Sequence, residues 1–152
     1  GWYPDQKEID WATLAAWSGA KRSLEERTTV TQKVRRVATW SDMQFQRSLK
    51  VLRPTHVFLN FVNHLQMALE GRTLRTEGLL GGLIASMDEY TLAFIAGVIG
   101  GAERHGAQLA WLGLGPEDAN VFHVDRTYSS ILKEMGDRAT NGTGILPERR
   151  KD

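Results

Sequence analysis

A chain of 152 residues, 41% of them apolar, is one domain's worth and long enough to bury a core. Its 19 Lys and Arg against 18 Asp and Glu leave a net charge of +1, which argues against an electrostatic grip on nucleic acid. Cysteine is absent, which excludes disulfides, thiolate metal sites and cysteine nucleophiles. No apolar run reaches membrane-spanning length and no signal-peptide pattern opens the chain, so a cytoplasmic protein without a membrane partner is expected.

In chain order, Tyr3-Pro4-Asp5-Gln6 is a turn signal. Asp10 is placed to cap a short helix carrying Trp11, Leu14 and Trp17, with Gly19 as its stop. Residues 28–37 are rich in threonine and valine, which suits an edge strand with a solvated Thr/Arg face. Ser41 and Gln44 form a capping box for a helix through Phe45, Leu49 and Leu52, which Pro54 ends. Residues 55–65 run as β-branched and aromatic side chains behind that proline and read as a buried strand. An Arg/Thr/Gly-rich connection follows over 66–82, and its glycines lack the spacing of a phosphate loop.

Ser86 and Glu89 form a second capping box, opening the longest helix over 86–105, which Gly106 closes. A strand over 107–113 and a turn at Gly113–Pro116 come next. Strand, helix and strand make a βαβ unit, so the fold class is α/β, with its two strands expected to be parallel. Ala119 to Asp125 has the composition of one more short strand, and Tyr128, Ile131, Leu132 and Met135 fit a short helix. From Gly136 onward a frayed tail is expected. The domain reading is therefore 1–125 as one unit and 126–152 as short helix and flexible tail.

In α/β sheets ligands bind at the carboxyl ends of the strands. Asn60 and Asn63 lie at that end of the 55–65 strand, and parallel pairing puts Gly113, Gly115 and Pro116 at the same edge. A planar amide suits the edge of a base, glycines allow close approach, and proline offers a stacking surface. On spacing alone, amides that cap strand ends and glycines that only turn the chain explain these residues better. The four histidines, at 56, 64, 105 and 123, have no metal-site spacing, and no nucleophile–base pair is visible.

Three stretches in order carry a resemblance. Thr29-Val30-Thr31-Gln32-Lys33-Val34-Arg35-Arg36-Val37, followed by the helix with Arg47, comes first; Leu59-Asn60-Phe61-Val62-Asn63-His64-Leu65 and Leu114-Gly115-Pro116-Glu117-Asp118 follow. Together they resemble the C-terminal third of adenylosuccinate synthetase, as does Gly-Trp-Tyr-Pro-Asp-Gln at the start, over most of residues 1–125.

The resemblance implies a carbon–nitrogen ligase of purine biosynthesis that joins aspartate to IMP at the expense of GTP, with magnesium, on a sheet of the P-loop-NTPase type. It implies that Thr29, Thr31, Lys33 and Arg35 belong to a mobile loop that closes on aspartate and phosphate. It implies that Asn60, Phe61, Asn63, Gly113, Gly115 and Pro116 hold the base of a purine nucleoside triphosphate. Val30, Gln32 and Lys33 depart from the family's Thr-Thr-Gly-Arg-x-Arg loop, and lysine lacks the two-pronged geometry of arginine. Phe61 and Asn63 stand where the family's lysine and guanine-reading aspartate would be, and Gly113 where serine is usual, so weakened guanine selectivity with adenine accepted is expected.

The family's phosphate loop, catalytic aspartate and histidine, and magnesium ligands belong to its N-terminal part. No catalytic or metal-ligating residue is therefore assigned here, and the chain alone is expected to be inert. It would act with an N-terminal region or partner chain, as a homodimer when complete. A non-catalytic purine-nucleotide-binding or interaction module, and a divergent synthetase with another nucleotide or amine substrate, stay open as alternatives.

Overall fold

The computed structural model describes residues 2–149. Local chemistry sets the first helix ends as expected. Asp10 accepts from the Thr13 backbone at 2.7 Å and opens α1 (Trp11–Ser18), and Gly19 closes it in the left-handed region at φ 75°. Ser41 accepts from the Gln44 backbone at 3.0 Å and opens α2 (Asp42–Leu52), which ends just before Pro54.

The 28–37 stretch is not the edge strand expected. It folds into a loop closed by an isolated Arg27–Val34 bridge, and only β2 (Val37–Ala38) pairs, antiparallel to β1 (Glu8–Ile9). Thr28 draws the loop shut by accepting from the Lys33 backbone at 3.0 Å and meeting the Thr31 hydroxyl at 2.6 Å. Threonine hydroxyls compete with strand pairing in this way.

The second sheet has three strands in the order β3 (His56–Leu59), β4 (Gln108–Gly113) and β5 (Val121–His123). β3 and β4 are parallel, with Leu59 opposite Leu112, while β4 and β5 are antiparallel. Together with the helices this is a mixed α/β architecture with a small mixed sheet.

The expected strand over 55–65 is cut to four residues. Phe61 turns into the left-handed region at φ 60°, ψ 32°, and Val62–His64 form a single 3-10 turn. Asn60 stabilises the break, its Oδ1 accepting from the Phe61 backbone at 2.8 Å. The turn sends Val62, fully buried, into the core. A continuous apolar run does not distinguish a strand from a strand followed by such a turn.

The 66–82 connection is also more structured than expected. It holds a 3-10 turn at Met67–Leu69, α3 (Leu74–Glu77) and the start of α4 (Leu80–Ala85). The long helix α5 is Glu89–Arg104 rather than 86–105, and its cap is Asp88, which accepts from the Thr91 backbone at 2.8 Å. Ser86 is not the cap. Its hydroxyl meets Gly82 and Arg72 instead.

Helix α6 (Arg126–Ala139) runs past Gly136, where fraying had been expected, because Gly136 packs against α5. Ile95, Ile99, Leu109, Leu112, Phe122 and Leu132 close the core among α5, α6, β4 and β5. The sheet's other face is open, with Phe58 beside Trp111 in register and 45% and 38% exposed.

Candidate functional site

Parallel pairing of β3 and β4 brings both expected segments to one edge. The contact is tight: a Cβ on Gly113 would lie 2.2 Å from Asn60 Oδ1 and 3.2 Å from the Phe58 ring. Gly113 is thus glycine because Asn60 fills the space of its side chain. Gly115 has a similar reason, since a Cβ there would be 2.7 Å from Asn120 Oδ1. That oxygen accepts from the Glu117 backbone at 3.0 Å, and Asn120 Nδ2 donates to the Arg72 carbonyl at 3.2 Å. The turn carrying the exposed Pro116 is built around Asn120.

Asn60 and Phe61 reach the surface, Phe61 with half of its area exposed. Its ring stacks on His64 with centroids 5.0 Å apart and planes 23° apart. Asn63 is different. It is enclosed, its Nδ2 donates to Glu70 Oε2 at 3.2 Å, and its Oδ1 has no partner among the described residues. Glu70 is gripped by Arg22 through bonds of 2.7 and 2.9 Å, and this guanidinium holds its carboxyl below the usual range.

The loop residues Thr29, Thr31, Lys33 and Arg35 are exposed. Thr29 accepts from the Gln32 side chain through its carbonyl at 2.9 Å. Gln32, which stands at the family's glycine position, has φ 53°, so the backbone there still adopts the conformation that glycine favours. Among the described residues, Arg27 pairs with Glu25 and Arg36 with Glu8, while Lys33 and Arg35 have no carboxylate within 4 Å. The Arg36 guanidinium pulls the Glu8 carboxyl down to about 2.

One side chain joins loop and strand end. Trp11 Nε1 donates to the Arg35 carbonyl at 2.9 Å, and its ring meets His64 edge-on at 6.3 Å. Burial holds the His64 imidazole below its ordinary pKa, which favours its neutral form in the folded chain. Unfolding exposes a group that takes up a proton near pH 6.5, so stability should be full above that pH and fall as pH drops below it. The urea midpoint is therefore expected to be lower at pH 5.5 than at pH 7.5, and His64→Phe is expected to shrink that difference. An unchanged difference in the variant would assign the effect to other groups.

Asn60 and Phe61 also line a cleft of about 730 Å³, whose other aromatic walls are Trp17, Trp40, Phe45, Tyr90 and Phe94. Arg149 lies at its edge over the Tyr90 ring (4.6 Å) and the Trp17 ring (5.0 Å), and its Nε has no acceptor among the described residues. Sequence reading missed this cleft, Arg149, and the Arg22–Glu70 pair. Their parts come from distant stretches, and no local spacing announces them.

No family model matches the chain. It is 45% identical over 65 residues to the N6-succino-2-amino-2'-deoxyadenylate synthase of Vibrio phage phiVC8, a match covering 43% of this chain and 17% of that protein. The enzyme of the same name from Acinetobacter phage SH-Ab 15497 is 27% identical over 125 residues, covering 80% of this chain and 24% of the relative. The succinoaminodeoxyadenylate synthetase (PurZ) of cyanophage S-2L, solved with dGMP and with dATP as energy donor, shares the fold at a TM-score of 0.50 and 24% identity. That likeness covers 90% of this chain and 29% of the solved one.

The matched stretches thus make up between 17% and 29% of these proteins. Over part of its length, the chain is thus similar to the succino-aminodeoxyadenylate synthases, enzymes that are themselves like adenylosuccinate synthetase, the family its motifs resemble.

Proposed function

We propose that this chain supplies the nucleotide-base site and the acceptor-amine loop of a purine-nucleotide ligase of the succino-aminodeoxyadenylate synthase type. The observation that carries the reading is the junction of Asn60 with Gly113, which joins the strand end bearing the exposed Phe61 to the strand that leads into the Gly115–Pro116 turn, in a chain similar to those synthases. Phe61 offers a stacking face to any purine, and stacking is tolerant of base identity. The three-stranded sheet would be one part of a larger sheet of the P-loop-NTPase type.

The relatives' name describes a purine with an amine at C2 and a succinyl nitrogen at C6. That product follows from a 6-oxo-2-amino nucleotide such as dGMP, in preference to IMP. A γ-phosphoryl group from the donor triphosphate would be transferred to O6, and the aspartate nitrogen would then attack C6. The C6–O6 bond breaks, phosphate leaves, and the amine loses its proton. Lys33 and Arg35 would meet the carboxylates of the incoming amino acid as charge partners, with Thr29 and Thr31 donating hydroxyl hydrogen bonds. Loop closure over them would exclude water.

Among the described residues no three His, Asp or Glu side chains are grouped to hold a metal ion. Phosphoryl transfer itself would need groups beyond these residues.

Titration of the nitrogen-15-labelled chain with dATP tests the base site. Amide shifts are expected at Phe61, Asn63, Leu114 and Gly115, saturating together. Absence of shifts at millimolar nucleotide, or shifts confined to other surfaces, would overturn the reading. The open Phe58 and Trp111 face favours a second reading, an interaction module, which expects no nucleotide response at all.

A further inference from the structure

The resemblance puts the acceptor that reads the base at position 63, and an asparagine stands there. Its amide orientation is determined by a neighbour. Nδ2 faces Glu70 Oε2 at 3.2 Å, and the flipped amide would set two acceptors against each other. Asn63 is also only 5% exposed, whereas the Glu70 side chain keeps 33% of its surface. The carboxylate, not the amide, is the accessible acceptor.

Glu70 is also held in place. Arg22 Nη2 donates to Oε1 at 2.7 Å and to Oε2 at 2.9 Å. The next residue, Gly71, donates its backbone N–H to the Leu114 carbonyl at 2.8 Å. The carboxylate is therefore anchored between the strand end and the Gly113–Pro116 turn, the two segments of the base site. A carboxylate has about four acceptor positions. Oε2 takes bonds from Arg22 and Asn63 and Oε1 takes one from Arg22, which leaves one position open, on Oε1.

We propose that Glu70 is the specificity-determining acceptor of the base site, taking one N–H from the exocyclic amine of an adenine-type base, with Arg22 and Asn63 as its positioning residues. The inference rests on the nucleotide-site reading above. One open acceptor position matches the single donor on adenine's Watson–Crick edge, one N–H of its 6-amine. The guanine edge presents two adjacent donors, a ring N–H and an amine, and needs two acceptors side by side. Replacement of the family's carboxylate at position 63 by Asn63 is then compensated from Glu70, with the base preference changed.

The test measures binding of ATP, GTP and purine riboside triphosphate, which lacks the 6-amine, to the full chain by calorimetry. ATP is expected to bind about tenfold more tightly than the amine-free analogue, the worth of one hydrogen bond to a charged acceptor. In Glu70→Leu and Glu70→Ala the two are expected to bind alike, because neither side chain offers an acceptor. Discrimination that persists in either folded variant, a wild-type ratio near one, or GTP bound more tightly than ATP would overturn the proposal while leaving the nucleotide site intact. Failure of all three nucleotides to bind the wild-type chain would instead overturn the reading beneath it.

Discussion

Gly136→Ala is expected to lower stability by about 3 kcal/mol, at the upper end of what overpacking costs. A Cβ on Gly136 would stand 2.3 Å from both the Ala96 methyl and the Leu92 carbonyl oxygen. One obstacle is backbone of α5, which cannot rotate away, so the two helices would have to separate along their contact. Leu132, fully buried one turn earlier on α6, would lose packing as they parted. A denaturant series read by circular dichroism gives the loss directly, and a midpoint within error of the parent would show that the helices yield easily. Gly97→Ala, at an exposed position of α5 with nothing within 4 Å of the new carbon, is the control and should be neutral or slightly stabilising.

The second large effect couples stability to the proposed site. Gly113→Ser, which restores the residue usual in the resembled family, is expected to cost about 2–3 kcal/mol and to remove the dATP response. Its Cβ would meet Asn60 Oδ1 at 2.2 Å and drive that side chain out, stripping the Phe61 backbone N–H of its 2.8 Å acceptor. Phe61 depends on that bond, because a non-glycine residue at φ 60° is strained and persists only where its surroundings hold it. Asn60→Ala alone should cost less, and in the Asn60→Ala, Gly113→Ser pair much of the loss should return. A double-mutant cycle with no coupling would show that the two positions do not share this space.

These two glycines mark where reading from sequence stops. Gly19 and Gly106 were legible as helix ends, because their role depends on a left-handed φ, 75° and 73°, within the chain's own local geometry. Gly113 and Gly136 adopt no such conformation. They are glycine because Asn60 and Leu92 lie in the way, 53 and 44 residues earlier. No local pattern carries that information.

The strand end tells the same story at higher resolution. The entry proline and the apolar run placed a strand after Pro54 and amides at its far end, and both are there. They overran the strand by six residues, since nothing in Phe61-Val62-Asn63 declares a turn until Val62 has a core to enter. Asn60 and Asn63 look equivalent in the chain. In the fold one caps a strained turn at the surface, and the other lies enclosed against Glu70.

By itself, then, the sequence determined what short-range chemistry dictates: caps at Asp10 and Ser41, stops at Gly19 and Gly106, the strand–helix–strand order, and motifs specific enough to point to a synthetase family. Each of these depends on residues within a few positions of one another. Tertiary structure decided which polar groups are accessible and which are paired. It set Glu70 between Arg22 and Asn63, tied Arg35 to His64 through Trp11, and walled a cleft with aromatic rings from four separate stretches. Burial and partner choice are properties of distant residues brought together, so the feature opened by sequence as two base-reading amides closes as a carboxylate that one of them holds in place.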